Sequence, residues 1–177
     1  MARHLLSKVA GDMPETESRA AVVTAWIAGL LVLVLIVFGL VRYGISNEVI
    51  HRIWTDLLDR PGGPMTFRFI LQPTMATIAA VIDGIRDARL GRSPYFWTIV
   101  RDPQRRVRRL REGFISTARI ILLGIGMDAV YQYKVLKTFY PDEAVIIALT
   151  LAVVPYLIIR GPVARIARRW RSSPASQ

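Results

Sequence analysis

The sequence predicts an all-α membrane protein: four transmembrane helices, with an amphipathic interfacial helix between the first two. Three observations lead to it. Ala20 to Val41 runs for 22 residues without a charge. Three further apolar stretches follow. The arginines are concentrated in two segments, one between the second and third stretches and one after the fourth.

The first span, 20–41, is the plainest, because a bilayer core about 30 Å thick needs about 20 apolar helical residues. It is too long for the apolar region of a cleaved leader, and no small-x-small site follows it, so a retained anchor is expected. Ahead of it, residues 1–19 are a polar N-terminal segment. Residues 47–60 place Val49, Ile50, Ile53, Trp54, Leu57 and Leu58 at helical spacing, with Glu48, Arg52, Asp56 and Asp59 between them. That pattern predicts an amphipathic helix lying on the membrane surface or on the bundle. Pro61-Gly-Gly-Pro64 stops it. The second span, 66–85, is shorter in apolar content and carries Gln72-Pro73. A re-entrant or interfacial segment fits its length too; a full crossing requires Arg68 to snorkel outward. The third span, 114–136, contains Arg119 and Asp128. Asp102-Pro103 marks a helix N-cap upstream, so a basic surface helix is expected to turn into the bilayer near Gly113. The fourth, 144–159, carries Pro155, which a spanning helix tolerates when neighbours re-satisfy the freed carbonyl.

Charge sets the orientation. The loop 86–113 holds nine arginines and three acids, and the tail 160–177 holds five arginines and no acid. These two segments account for the whole net charge of +11. Four crossings put both on one side together with the N-terminus, which the positive-inside rule makes cytoplasmic. The excess charge is thereby explained by topology, and no nucleic-acid partner is expected. The lipid bilayer and its anionic headgroups are the expected partners. Arg105, Arg106, Arg108, Arg109, Arg168 and Arg169 are the candidate lipid contacts. Tyr95, Phe96 and Trp97 sit where headgroups would be and read as interfacial anchors.

Ionisable and polar residues within spans are expensive, so they mark candidate sites. Asp128 is the foremost, with Tyr131 and Gln132 one turn away on the same helix face. Gln72 and Asp83 form a comparable stripe on the second span, with Ala76, Ala79 and Ala80 between them. The small residues allow close approach, so spans two and three are expected to pack along these stripes. The carboxylates serve either as polar glue or as proton- or cation-handling groups. Arg119 is expected to snorkel toward the cytoplasm. Gly124 and Gly126 read as a packing feature.

The chain has no cysteine and only two histidines, His4 and His51, neither in a span. That excludes disulfides, a bis-histidine haem and a zinc-type cluster. No phosphate-binding glycine loop and no nucleophile-base motif is present. No cofactor is expected. The leading function is a non-enzymatic accessory or scaffold protein, as a homo-oligomer or with a membrane-protein partner. The alternative is a small transporter or proton/ion-conducting protein using Asp128, and the third reading is a membrane-embedded enzyme.

Several stretches, Phe69-Ile-Leu-Gln-Pro73, Asp83-Gly-Ile-Arg-Asp-Ala-Arg89, Gly91-Arg-Ser-Pro-Tyr-Phe-Trp97, Arg111-Glu-Gly113, Tyr140-Pro-Asp-Glu-Ala144 and Pro155-Tyr-Leu-Ile-Ile-Arg-Gly-Pro162, carry a resemblance over more than half the chain. They resemble a family of bacterial multi-spanning inner-membrane proteins with no known activity. The resemblance implies a multi-pass topology and a bacterial inner membrane, and it transfers no functional residue.

Overall fold

The computed structural model describes residues 18–44, 47, 48, 50, 51, 54, 55 and 66–172. Among these the secondary structure is entirely helical. Helix α1 spans Arg19–Tyr43, α2 Thr66–Arg89, α3 Tyr95–Arg101, α4 Pro103–Tyr131 and α5 Pro141–Ser172. The described residues between 47 and 55 are helical and exposed. The rest of that segment lies outside the described residues, as do 1–17.

Local sequence explains the helix ends. The Ser18 hydroxyl accepts from the Ala21 amide at 3.2 Å and caps α1. Gly44, at φ 68°, ends it. After α2, Gly91 takes φ 62° and the Arg92 amide reaches back to the Asp87 carbonyl at 3.0 Å, closing the last turn. Asp102 caps α4 by accepting from the amides of Gln104 and Arg105, each at 3.1 Å, with Pro103 in the first helical position. The far end of α4 widens into a π-turn, Gln132–Leu136, that Lys137 closes in the left-handed region at φ 55°.

The helices alternate in direction. Tyr43, ending α1, donates to the Phe139 carbonyl just ahead of α5. Arg68, starting α2, reaches Asp128 near the end of α4, whereas Asp87 at the other end of α2 meets Arg109 and Arg160. So α1 and α4 run one way, and α2 and α5 the other. The two arginine-rich segments and the start of α1 therefore share one end of the bundle, here called the basic end.

The core is narrow and built from small residues. Ala76 and Ala80 of α2 pack against Ile120, Ile121 and Ile125 of α4 and Val145, Ala148 and Ala152 of α5. The expectation that α2 packs against α4 along Gln72, Ala76, Ala80 and Asp83 is met in part, but its most extensive partner is α5. Gly84 shows why. A Cβ there would lie 2.9 Å from the Arg160 carbonyl oxygen, so only glycine lets the two backbones approach this closely.

Large apolar side chains point outward. Trp26, Leu30, Leu33 and Val41 of α1 are 59–83% exposed, and Phe67, Ile70 and Ile78 of α2 and Val154 and Ile158 of α5 are exposed as well. Three helices are long and apolar enough to cross a membrane: Arg19–Tyr43, Pro103–Leu136 and Pro141–Trp170. By the same measure α2 does not qualify.

Two sequence-based expectations are overturned. Gly113 is not a bend: α4 runs unbroken through it, and its missing side chain makes room for the Tyr95 hydroxyl. Arg68 does not snorkel outward: it is 2% exposed and paired with Asp128, because an internal carboxylate offers a closer partner than the membrane surface. Replacing Gly84 with alanine is expected to lower stability by about 1–3 kcal/mol through overpacking against rigid backbone. Replacing Gly161, whose added Cβ meets nothing within 4 Å, should be close to neutral. Thermal unfolding of both variants in mild detergent checks the contrast.

Candidate functional site: two buried polar clusters

The polar residues singled out in the sequence do not form one site. They divide between two clusters at opposite ends of α2, separated by the alanine and isoleucine layer. Arg68 and Asp83 lie fifteen residues apart on that helix, or about 22 Å along its axis at about 1.5 Å per residue.

The cluster at the far end centres on Asp128, which is fully buried. One carboxylate oxygen takes the Arg68 guanidinium, and the other accepts from Gln132 Nε2 at 2.5 Å. Gln132 then ties down the connection to α5: its amide donates to the Tyr140 carbonyl at 3.2 Å and its oxygen accepts from the Tyr140 amide at 2.5 Å. The i, i+4 spacing of Asp128 and Gln132 makes the first of these contacts possible. Tyr131 is half-buried on the neighbouring position. Gln72 accepts from Arg68 Nε at 3.3 Å and donates to the Ala148 carbonyl of α5 at 2.8 Å. Gly124 leaves the space that the Gln72 amide fills, so this glycine is a packing device, whereas the position of Gly126 is open. Glu143, in the first turn of α5, is also fully buried, at a helix end that favours negative charge.

The cluster at the basic end contains Asp83 and several residues that sequence reasoning did not assign to a site. Asp87 is fully buried and accepts from Arg109 Nη1 at 2.9 Å and Arg160 Nε at 2.8 Å. One carboxylate thereby joins α2, α4 and α5. Glu112 lies 3.0 Å from Arg109, 3.4 Å from Arg92 and 3.8 Å from Arg160. Asp83 accepts from Ser116 and Tyr156 hydroxyls, both at 2.6 Å, and Tyr156 accepts from Arg160 at 2.5 Å. Three carboxylates, Asp83, Asp87 and Glu112, thus balance three guanidiniums, Arg92, Arg109 and Arg160. Tyr95 closes the group from α3: its hydroxyl donates to the Arg109 carbonyl at 2.7 Å, and the Arg160 guanidinium sits 4.0 Å from its ring centre. Tyr95 is accordingly buried, and is not the interfacial anchor expected of it, while Phe96 and Trp97 are partly exposed.

Arg109 is a correction among the candidate lipid contacts. It is 3% exposed, turned inward by Asp87 and Glu112. Arg105 and Arg108 are about two-thirds exposed, Arg106 is exposed and folds back onto the Ile99 and Val100 carbonyls, Arg168 is half-buried and Arg169 exposed. Arg119 is exposed. The missed contributors had a signal in their spacing. Asp83 and Asp87 are i, i+4, Tyr156 and Arg160 are i, i+4, and Arg109, Glu112 and Ser116 are i, i+3, i+7. Each set lies on one helix face.

The carboxylates of Asp83, Asp87 and Asp128 accept from guanidinium, hydroxyl and amide donors, and among the described residues no group of three or more histidine, cysteine, aspartate or glutamate side chains is placed to hold a metal ion. Two apolar grooves on the outer surface are lined by neither Asp128 nor Asp83.

Burial pushes the Tyr95 phenol up from its ordinary value near 10 to about 12, against the opposing pull of Arg160 and Arg109. Between those two values the unfolded chain releases this proton and the folded chain keeps it, so stability falls as the pH rises through that window. The difference titration at 295 nm between wild type and Tyr95→Phe is expected to show a tyrosine ionising near pH 12 and not near 10. Compared with known protein families, with curated proteins and with solved structures, the chain finds no match.

Proposed function

We propose that this chain is a four-crossing integral protein of a bacterial inner membrane. In this reading the basic end and both termini face the cytoplasm, and the protein serves as a non-enzymatic accessory or scaffold. The observation that carries the reading is the inside-out distribution of polarity. Arg68, Asp87, Arg109, Asp128 and Arg160 of α2, α4 and α5 are buried and pair with one another, while large apolar side chains face outward and the exposed arginines of these helices, Arg119 apart, gather at the basic end.

That distribution also supports a crossing by α2. Its hydropathy is lowered by Arg68, Gln72, Asp83 and Asp87, yet Arg68, Gln72 and Asp87 are buried and Asp83 is bonded inside the bundle. What α2 turns outward along Phe67, Ile70, Leu71, Thr74 and Ile78 is apolar or hydroxyl-bearing. A helix of 24 residues extends about 36 Å at about 1.5 Å per residue, enough for a core of about 30 Å. Transport through Asp128 is less well supported. A conducting carboxylate needs a wet path, and Asp128 is sealed by Arg68 and Gln132 and separated from Asp83 by the alanine and isoleucine layer.

Topology is directly measurable, because the chain has no cysteine of its own. A cysteine introduced by Ser7→Cys should stay protected from an impermeant maleimide on intact cells, and one introduced by Lys137→Cys should be labelled. Labelling at position 7 would mean that α2 does not cross.

The role of Asp128 separates by a pair of variants. Asp128→Leu alone strands the buried Arg68 charge and is expected to cost about 3–5 kcal/mol and most of the folded yield, whereas Arg68→Met with Asp128→Leu recovers it. Proteoliposomes of the wild type should hold a pH gradient as well as empty vesicles do. A leak that Asp128→Asn abolishes, with assembly intact, would replace the scaffold reading with transport.

A further inference from the structure

The outer surface between α3 and α5 carries a groove of about 380 Å³. Its walls are Phe96 and Trp97 on one side and Val154, Leu157 and Ile158 on the other, and Arg165 stands at its basic end. Its floor opens at Gly161. That glycine is buried, yet a Cβ built on it would meet no atom within 4 Å. The helix here leaves a slot that any larger side chain would fill.

Three properties define the occupant. The first is length. Val154 to Arg165 spans eleven residue rises, about 17 Å of helix, close to half of a hydrocarbon core about 30 Å thick. The groove is one leaflet long. The second is charge. No carboxylate lines it, Arg165 is exposed and makes no hydrogen bond or ion pair among the described residues, and the Arg101 guanidinium sits 4.3 Å from the Trp97 ring centre beside it. An apolar slot ending in guanidinium groups complements an acyl chain ending in a phosphate. The third is level. Arg165 lies beyond Arg160 at the basic end, and half-exposed Phe96 and Trp97 mark the headgroup zone.

We propose that this groove binds one anionic phospholipid of the leaflet at the basic end, its acyl chain along Val154, Leu157 and Ile158 over Gly161 and its phosphate on Arg165. The site rests on the membrane reading above but goes beyond it, because a bilayer surface requires no particular lipid at any one place. It also differs from general attraction to the arginine-rich segments, since it couples a headgroup contact to a shaped apolar slot.

Trp97 supplies the readout. In the full chain with Trp26, Trp54 and Trp170 changed to Phe, Trp97 is the sole tryptophan. Reconstituted into vesicles containing brominated phosphatidylglycerol or brominated phosphatidylcholine, Trp97 should be quenched at a mole fraction of phosphatidylglycerol on the order of fivefold lower, the effect of one arginine facing a net-anionic headgroup in place of a zwitterionic one whose choline cation offsets its phosphate. Gly161→Leu should abolish that excess quenching by filling the slot. Arg165→Gln should make the two lipids equivalent while leaving acyl quenching in place. Equal quenching by both lipids in the parent, or a preference that survives both substitutions, would overturn the site. A companion chain retaining only Trp26, on the exposed face of α1, separates this failure from the larger one. Trp26 quenched by both lipids with no preference at Trp97 overturns only the lipid site. Trp26 quenched by neither overturns the membrane reading and the site with it.

Discussion

The structure depends on the Asp87 carboxylate, held between Arg109 and Arg160. A lone buried ion of either sign costs several kcal/mol, and its mutual attraction with a partner offsets this only when geometry and hydrogen bonding are both good. Asp87 meets that condition from both of its oxygens and draws its two partners from different helices. The ion pair is therefore also a fastening of α2, α4 and α5. Glu112 and Asp83 extend it until charge is balanced, and the Tyr95 and Tyr156 rings seal it from the side. At the other end Arg68 and Asp128 apply the same rule with one pair, and Gln132 carries the constraint into the backbone before α5.

The remaining packing follows from these two fixed ends. Between them the helices need only approach closely, and small residues allow it: Ala76, Ala80, Ala148 and Ala152, with Gly84 against the α5 backbone and Gly124 beneath Gln72. Apolar attraction between helices is weak where the surroundings are themselves apolar, so close van der Waals contact and internal polar bonds hold such a bundle together. Helix α1 has no polar stripe and takes a different place. It leans on the bundle through Ala25, Ala28 and Gly39, and most of its surface remains exposed. The π-turn after α4, closed by Lys137 in a left-handed conformation, lets Gln132 and Tyr140 face each other across the connection to α5.

Much of this was legible in the sequence. The uncharged run foretold α1, the Asp102-Pro103 pair foretold the start of α4, and the spacing on α4 left Tyr131 and Gln132 as the two neighbours of Asp128, of which Gln132 makes the bond. Gln72, Ala76, Ala80 and Asp83 were readable as an inward stripe. The partners were not readable. Arg68 was expected to reach outward and Arg109 to meet lipid, because a basic residue near the end of an apolar stretch has both options. Which one it takes depends on whether a carboxylate waits inside, and that carboxylate is supplied by another helix 60 positions away for Arg68 and 22 for Arg109. Gly113 misled for a related reason. A glycine between a basic and an apolar segment suggests a bend, but here it gives way to a tyrosine from α3.

By itself, then, the sequence determined what local chemistry determines: the helical periodicity, the caps, the apolar lengths and the division of charge between the two ends. These depend on neighbours within a few residues, so one chain read in order contains them. The tertiary structure alone decided which charges are buried together, because ion pairing across helices depends on distances that sequence spacing does not encode. It divided four separately noticed polar residues, Gln72, Asp83, Asp128 and Gln132, between two buried clusters, and it added Asp87, Arg109, Glu112 and Arg160 as the cluster on which the bundle turns.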